Sequence, residues 1–130
     1  IINNIKSLYN KNVYEGTLDV TFYRDDFSSN LGSHQIGPSS INFDINKLHV
    51  ILIDDVLYTG RTIRAAMDEL FSFGRPASIQ LGVLVDRGHR QLPIKATYIG
   101  KNIPTSIDEN VHVYIKEIDK KDQVVVIKNK

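Results

Sequence analysis

The stretch V-I-L-I-D-D-V-L-Y-T-G-R-T, residues 50–62, decides the reading of this chain. Four apolar residues, Val50 to Ile53, run straight into two adjacent carboxylates, Asp54 and Asp55. A turn carrying Val56, Leu57, Tyr58, Thr59 and Gly60 follows, and Arg61 and Thr62 open a helical pattern. An unbroken apolar run is expected of a strand covered on both faces of a parallel sheet. Strand, short turn and helix in that order put the helix N-terminus at the carboxyl end of the strand. Open α/β sheets bind their ligands there, and the free N–H groups of a helix start favour an anion. Gly60 lets the backbone come close, while Thr59 and Thr62 add hydroxyl donors, so phosphate is the expected occupant of residues 56–62. The Gly-Lys-Ser/Thr ending of a P-loop is absent, which argues against a nucleoside triphosphatase.

Two carboxylates beside a phosphate cradle would repel the phosphate itself. They suit a ligand that also presents hydroxyls, a metal or developing positive charge, and a ribose 5-phosphate fits that description. The turn would hold the 5-phosphate while Asp54 and Asp55 accept from the 2- and 3-hydroxyls. The same charges would stabilise an oxocarbenium-like ribose cation. A plainer alternative has one aspartate capping the helix and the other solvated, which is the commoner fate of such a pair. The complete run from strand to Thr62 favours the sugar phosphate.

Outward from this run the chain reads as one α/β domain over residues 1–130, a mostly parallel open sheet flanked by helices. Residues 1–9 have apolar positions at helical spacing, and the helix is expected to end near Asn10 and Asn12. Residues 17–23, T-L-D-V-T-F-Y, alternate and predict a strand. Residues 24–47 are rich in Ser, Asn, Gly and Asp; a connection this long is expected to be a lid or disordered. The helix from Arg61 places Ile63, Ala66, Met67, Leu70 and Phe71 on one face and stops at Gly74-Arg75-Pro76. Residues 77–86 predict a second buried strand ending in Asp86, and A-T-Y-I-G (96–100) a short one. H-V-Y-I-K-E-I and Q-V-V-V-I-K-N flank D-K-K-D and predict a closing antiparallel hairpin.

Composition sets outer limits. The chain is 42% hydrophobic and 24% charged, as in an ordinary globular domain. Cysteine is absent, so there is no disulfide, thiolate metal site or cysteine nucleophile, which fits a reducing, cytoplasmic setting. No run is long enough to span a membrane and no signal peptide opens the chain. His34, His49 and His112 lack metal-ligand spacing, so no metal site is expected by direct spacing. The net charge of +1 hides a local excess: residues 61–101 hold seven Lys/Arg against three Asp/Glu. Such a patch bears on partners and not on fold.

Residues 50–62 resemble the phosphoribosyl pyrophosphate motif of type I phosphoribosyltransferases. More narrowly, residues 17–27, 54–70, 74–96 and 98–106 are similar to the bacterial pyrimidine operon attenuation regulators that are also uracil phosphoribosyltransferases. The resemblance covers nearly the whole chain, residues 28–47 and the C-terminal hairpin more loosely. It implies the type I phosphoribosyltransferase fold and a catalytic role for Asp54 and Asp55. It makes residues 24–47 a mobile flap in which Arg24 neutralises phosphate charge. It places Asp86 and Arg87 in a base pocket with Val111 as an apolar wall; an ion pair of Asp86 with Arg87 or Arg90 is the plainer alternative. It makes His89, Arg90, Lys95 and Lys101 candidates for gripping RNA, although a basic cluster is more often simply a solvated face. Tyr58 is expected only to pack the turn.

The resemblance further implies an additional helix, strand and pyrophosphate-gripping loop ahead of Ile1. The chain is then an N-terminally incomplete family member, and residues 1–130 alone are expected to show little turnover. The function implied is twofold. Ribose 5-phosphate would pass from phosphoribosyl pyrophosphate to uracil with Mg²⁺, giving UMP and pyrophosphate. UMP-dependent binding of pyrimidine-operon leader mRNA would cause transcription attenuation, in a cytoplasmic homo-oligomer, dimer or higher. Two alternatives stay open, because one pocket serves all three: a phosphoribosyltransferase for another nucleobase, and an RNA-binding UMP sensor without turnover.

Overall fold

The computed structural model of this chain describes residues 1–21 and 38–129. Helix α1 (Ile2–Tyr9) ends at Asn10, whose left-handed φ of 48° lets its N–H close back on the Lys6 carbonyl. None of its residues is buried.

The centre is a three-stranded parallel sheet in the order β1 (His49–Leu57), β2 (Ser78–Asp86), β3 (Tyr98–Asn102). β1 and β2 are joined through helix α2 (Arg61–Phe71), whose Ile63, Ala65, Ala66 and Leu70 are buried. Register pairs Leu52 with Leu81, Asp54 with Val83 and Val56 with Val85. That face of the sheet meets α2 in a core of Leu57, Ile63, Leu81, Val83 and Ala96, with Leu52 and Ile94 packed against it. Two turns of buried aliphatic side chains pack the crossover helix against the leucines and Val83 of the sheet. The link from β2 to β3, residues 87–97, contains no helix and brings Ala96 and Ile94 into that core on its way back to the start of β3. The C-terminal hairpin forms as expected: β4 (Glu109–Tyr114) pairs antiparallel with β5 (Gln123–Lys128).

Several expectations need correction. Residues 17–21 make one isolated bridge, Thr17 with Ser40, and no strand; residues 22 and 23 lie outside the described residues. The Asp19 carboxylate takes both the N–H and the hydroxyl of Thr21, at 3.0 and 2.6 Å, a local turn that competes with a ladder. β1 is not covered on both faces by the described residues: Ile51 and Ile53 are 51% and 56% exposed, with Leu84 and Tyr98 exposed beside them. Phe71, expected in the core, is exposed at the end of α2, and Ala65 is buried instead. Residues expected to extend the first hairpin strand form a helical turn, α3 (Lys116–Asp119). There the Asp119 and Asp122 carboxylates accept the N–H groups of Ile115 and Lys116 at 2.8 and 2.7 Å, drawing the chain away from the ladder. The far end of the expected flap is anchored: Ile45 is fully buried, and Lys47 N–H donates to the Arg75 carbonyl at 3.0 Å. Arg24 lies outside the described residues.

Candidate active site

β1 delivers both aspartates and continues past them to Leu57, so they sit within the strand and not at its last residue. Alternation along the strand sends them to opposite sides. Asp54 is half-buried on the α2 side, while Asp55 is exposed on the side of Ile51 and Ile53. Each carboxylate accepts the next residue's N–H: Asp55 N–H at 2.9 Å for Asp54, and Val56 N–H at 2.7 Å for Asp55.

The turn beyond them has the features of an anion cradle. Gly60 is the N-cap of α2 with φ of 93°, a left-handed value that glycine adopts without strain. A Cβ there would lie 3.3 Å from two Ile94 carbons and 3.5 Å from Leu92 Cβ. The helix starts without a side-chain cap or an acidic residue in its first turn, so its dipole is uncompensated by the protein. Thr59 is only 3% exposed, and its hydroxyl accepts the Arg61 N–H at 3.3 Å. Thr62 is half-buried in the first turn, and Arg61 is exposed with Nε donating to the Gln91 side chain at 2.9 Å.

The second half of the site is the loop after β2. Asp86, Arg87, Gly88, His89 and Arg90, with Asn102, Pro104 and Thr105, line a cavity of about 420 Å³ at the carboxyl ends of β2 and β3. Residues expected to serve the base and residues expected to serve RNA therefore share one concave wall. Of the two ion pairs the sequence allowed, the structure contains Asp86 with Arg90. Arg90 also donates to the carbonyls of Ile94 (3.0 Å) and Tyr58 (2.8 Å), so this candidate RNA ligand is built into the protein. Arg87 is 4% exposed. Its Nε donates to the Thr105 hydroxyl at 3.0 Å and its Nη2 to the carbonyls of Ser106 and Glu109. His89 Nε2 donates to the Thr105 carbonyl at 2.6 Å. Lys95 and Lys101 are exposed and outside the cavity wall, and Val111 sits in β4 opposite Val126.

Turn and loop are stitched together by groups that the sequence reading passed over. The Thr59 carbonyl accepts the N–H groups of Gln91 (3.0 Å) and Leu92 (3.2 Å). Gln91, Leu92 and Thr105 carry no motif of their own, and only the Gly60 requirement for close neighbours hinted at such a lid on the turn. The Asp19 carboxyl is held below its ordinary range by its hydrogen bonds from the Thr21 hydroxyl and N–H. Among the described residues no three of His, Asp and Glu gather as a metal cage, and no helix is long and apolar enough to cross a membrane.

Residues 7–127 match the phosphoribosyl transferase domain family. The chain belongs to that family. A phosphoribosyl transferase domain accounts for the parallel sheet and for the turn after β1 alike. At the level of single proteins, the chain is 53% identical over 126 residues to the bifunctional protein PyrR of Ligilactobacillus salivarius, covering 95% of this chain and 71% of that one. It is 56% identical over 127 residues to the bifunctional protein PyrR of Corynebacterium diphtheriae, covering 97% and 66%. Among solved structures, the hypoxanthine phosphoribosyltransferase of Trypanosoma cruzi in complex with the product IMP superposes with a TM-score of 0.53 at 25% identity, over 69% of this chain and 50% of that one. The phosphoribosyl transferase domain described here thus spans about two thirds of the curated relatives and half of that solved neighbour.

Proposed function

We propose that this phosphoribosyltransferase domain belongs to a bifunctional regulator of pyrimidine synthesis that is also a uracil phosphoribosyltransferase. The observation that carries the reading is the cradle at residues 58–62, with Gly60 at an uncompensated helix start and the Asp54–Asp55 pair one strand-end away. About 50% identity to several proteins called bifunctional PyrR supports uracil over another base, since the hypoxanthine enzyme stands at only 25%.

In this reading the N–H groups at the start of α2 and the hydroxyls of Thr59 and Thr62 bind the 5-phosphate of phosphoribosyl pyrophosphate. Asp54 and Asp55 accept from the ribose hydroxyls. The bond from ribose C1 to the pyrophosphate oxygen breaks with its electron pair leaving on pyrophosphate. The two carboxylates stabilise the positive charge left on the ribose. Uracil N1 forms the new bond to C1 and releases its proton, and UMP results. Asp86, Arg87 and Val111 bound the uracil, Arg87 by ordering the segment from Thr105 to Glu109. The carboxylate pair offers oxygen donors of the type that suits Mg²⁺ arriving with its phosphates. Mg²⁺ supplies charge neutralisation on the leaving group. Arg24 takes the same part from the flap.

The regulatory half is binding of pyrimidine-operon leader mRNA when UMP fills the cradle, with attenuation of transcription as the outcome. The loop 87–92 supports it, because it carries His89 beside Gly88 and is fastened to the nucleotide turn. Lys95 and Lys101 are exposed cations that follow this loop in the chain and supply phosphate contacts. The protein acts in the cytoplasm, where transcripts are made, as a homo-oligomer, and the exposed apolar side of the sheet supports such an assembly. The deciding experiment uses the intact protein: conversion of uracil and phosphoribosyl pyrophosphate to UMP, and leader-RNA binding titrated over salt with and without UMP. Turnover together with UMP-enhanced RNA binding is expected. Turnover with hypoxanthine in place of uracil, or RNA binding indifferent to UMP, overturns the corresponding half.

A further inference from the structure

Tyr58 stands where three residues of one loop converge. Its ring carries the Arg87 guanidinium on its face, 4.0 Å from the ring centroid. The His89 imidazole meets the same ring edge-on, at 5.9 Å between centroids and 74° between planes. Its backbone carbonyl accepts Arg90 Nη1 at 2.8 Å. Arg87, with 4% exposure, has no carboxylate partner among the described residues, so the aromatic face is a principal electrostatic complement of a buried cation. His89 is held in a left-handed conformation, φ 62°, directly after Gly88 at φ 83°. A non-glycine residue at such an angle is strained and persists only where its surroundings hold it. Here the holders are the Thr105 carbonyl and the Tyr58 ring.

Tyr58 is also the residue immediately before Thr59 and Gly60, so it belongs to the segment that must close around a phosphate. A shift of the turn moves the ring and the carbonyl together, and three side chains of the 87–90 loop read that shift. We infer that Tyr58 is the positioning residue through which occupancy of the phosphate turn sets the placement of His89. It couples nucleotide binding to the face that meets RNA. The inference deepens the regulatory reading and rests on the nucleotide site of that reading.

Coupling of this kind is reciprocal: UMP raises RNA affinity by the factor by which RNA raises UMP affinity, commonly about 5–150-fold. Tyr58→Phe keeps the ring and its carbonyl and should keep the factor. Tyr58→Leu removes the ring and should bring the factor to within about two-fold of unity, in both directions of the cycle. A merely structural role would weaken both ligands without abolishing their mutual effect.

The test has two arms on the intact protein. Leader-RNA affinity is measured with and without saturating UMP for wild type, Tyr58→Phe and Tyr58→Leu. In parallel, the His89 imidazole resonances, assigned by their loss in His89→Gln, are followed by NMR as UMP alone is added. The expected result is a UMP-dependent displacement of His89 signals in wild type and Tyr58→Phe, lost in Tyr58→Leu. His89 signals that do not move in wild type saturated with UMP overturn the inference even if Tyr58→Leu does not fold, and so does an undiminished factor in Tyr58→Leu. His89 signals that move through Tyr58 while RNA affinity ignores UMP leave the relay standing and refute the RNA reading. Failure of wild type to bind UMP refutes the nucleotide site and the relay with it.

Discussion

Arg90 Nη1 donates to the carbonyl of Tyr58 across 2.8 Å, from a position thirty-two residues further along the chain. The same guanidinium pairs with the Asp86 carboxylate, so the end of β2 and the turn after β1 are held by one side chain. The turn after β1 and the cavity wall are therefore bonded to each other, and damage to either is expected to reach the other.

Arg90→Ala removes the bond to Tyr58 and the cationic partner of Asp86, whose carboxylate keeps only the Gly88 N–H among the described residues. Losing the counter-charge of a half-buried carboxylate should cost about 1–3 kcal/mol of stability. UMP affinity should fall with it. Denaturant midpoints and calorimetric titration of UMP check both; a loss confined to RNA binding would mean that Arg90 is a ligand residue after all.

Gly60→Ala puts a side chain at φ 93° and within 3.3 Å of Ile94. A destabilisation of about 1–3 kcal/mol is expected from the backbone strain, with weaker UMP binding because the turn must open to accommodate the methyl group. Urea unfolding of the variant beside wild type measures the first, and unchanged stability would contradict the conformation described for residue 60.

Thr59→Val leaves the Arg61 N–H without its hydroxyl acceptor and deprives a bound phosphate of a donor. UMP binding should weaken by about 1.5–3 kcal/mol, while Thr59→Ser should retain most of the affinity. If valine and serine behave alike in titrations of folded protein, the hydroxyl takes no part in binding.

Asp55→Asn in the intact protein keeps size and hydrogen bonding but removes charge. Turnover should drop about 100-fold or more, as for other groups that stabilise transition-state charge, while UMP affinity changes far less. Parallel losses in kcat and UMP affinity would assign the carboxylate to ribose positioning alone.

Lys95→Ala and Lys101→Ala should each weaken leader-RNA binding and flatten its salt dependence by about 0.7–0.9 of a unit of logarithmic slope. Filter binding over a range of salt gives the slopes. An unaltered slope in both variants removes these lysines from the RNA face.

The order of strand, turn and helix from Val50 to Leu70 was legible because each of its signals is local. An apolar stretch, a glycine at the turn and a stripe at helical spacing need no distant partner to be recognised. What the sequence concealed was joined at long range: Arg87 to Thr105, Arg90 to Tyr58, and Gln91 to Thr59. Their residue types also occur on ordinary surfaces, and no periodicity links them. The strand expected over residues 17–23 and absent at 17–21 has a different cause, since alternation there is real but the Asp19 carboxylate offers Thr21 a nearer partner. Ile51 and Ile53 misled in the opposite sense, because an apolar run does not say whether anything lies on its second face.

That second face has a consequence for the chemistry. Ile51, Ile53 and Asp55 project from the same side of β1, and register places Leu84 and Tyr98 in the neighbouring strands alongside them. A surface laid over the isoleucines also displaces water from around Asp55. Opposite charges attract more strongly where water is thinned out, so under the proposed function the pull of Asp55 on a ribose cation would depend on what shelters the apolar side chains behind it. The proposed catalytic strength and the covering of a greasy sheet would in this way be a single adjustable quantity.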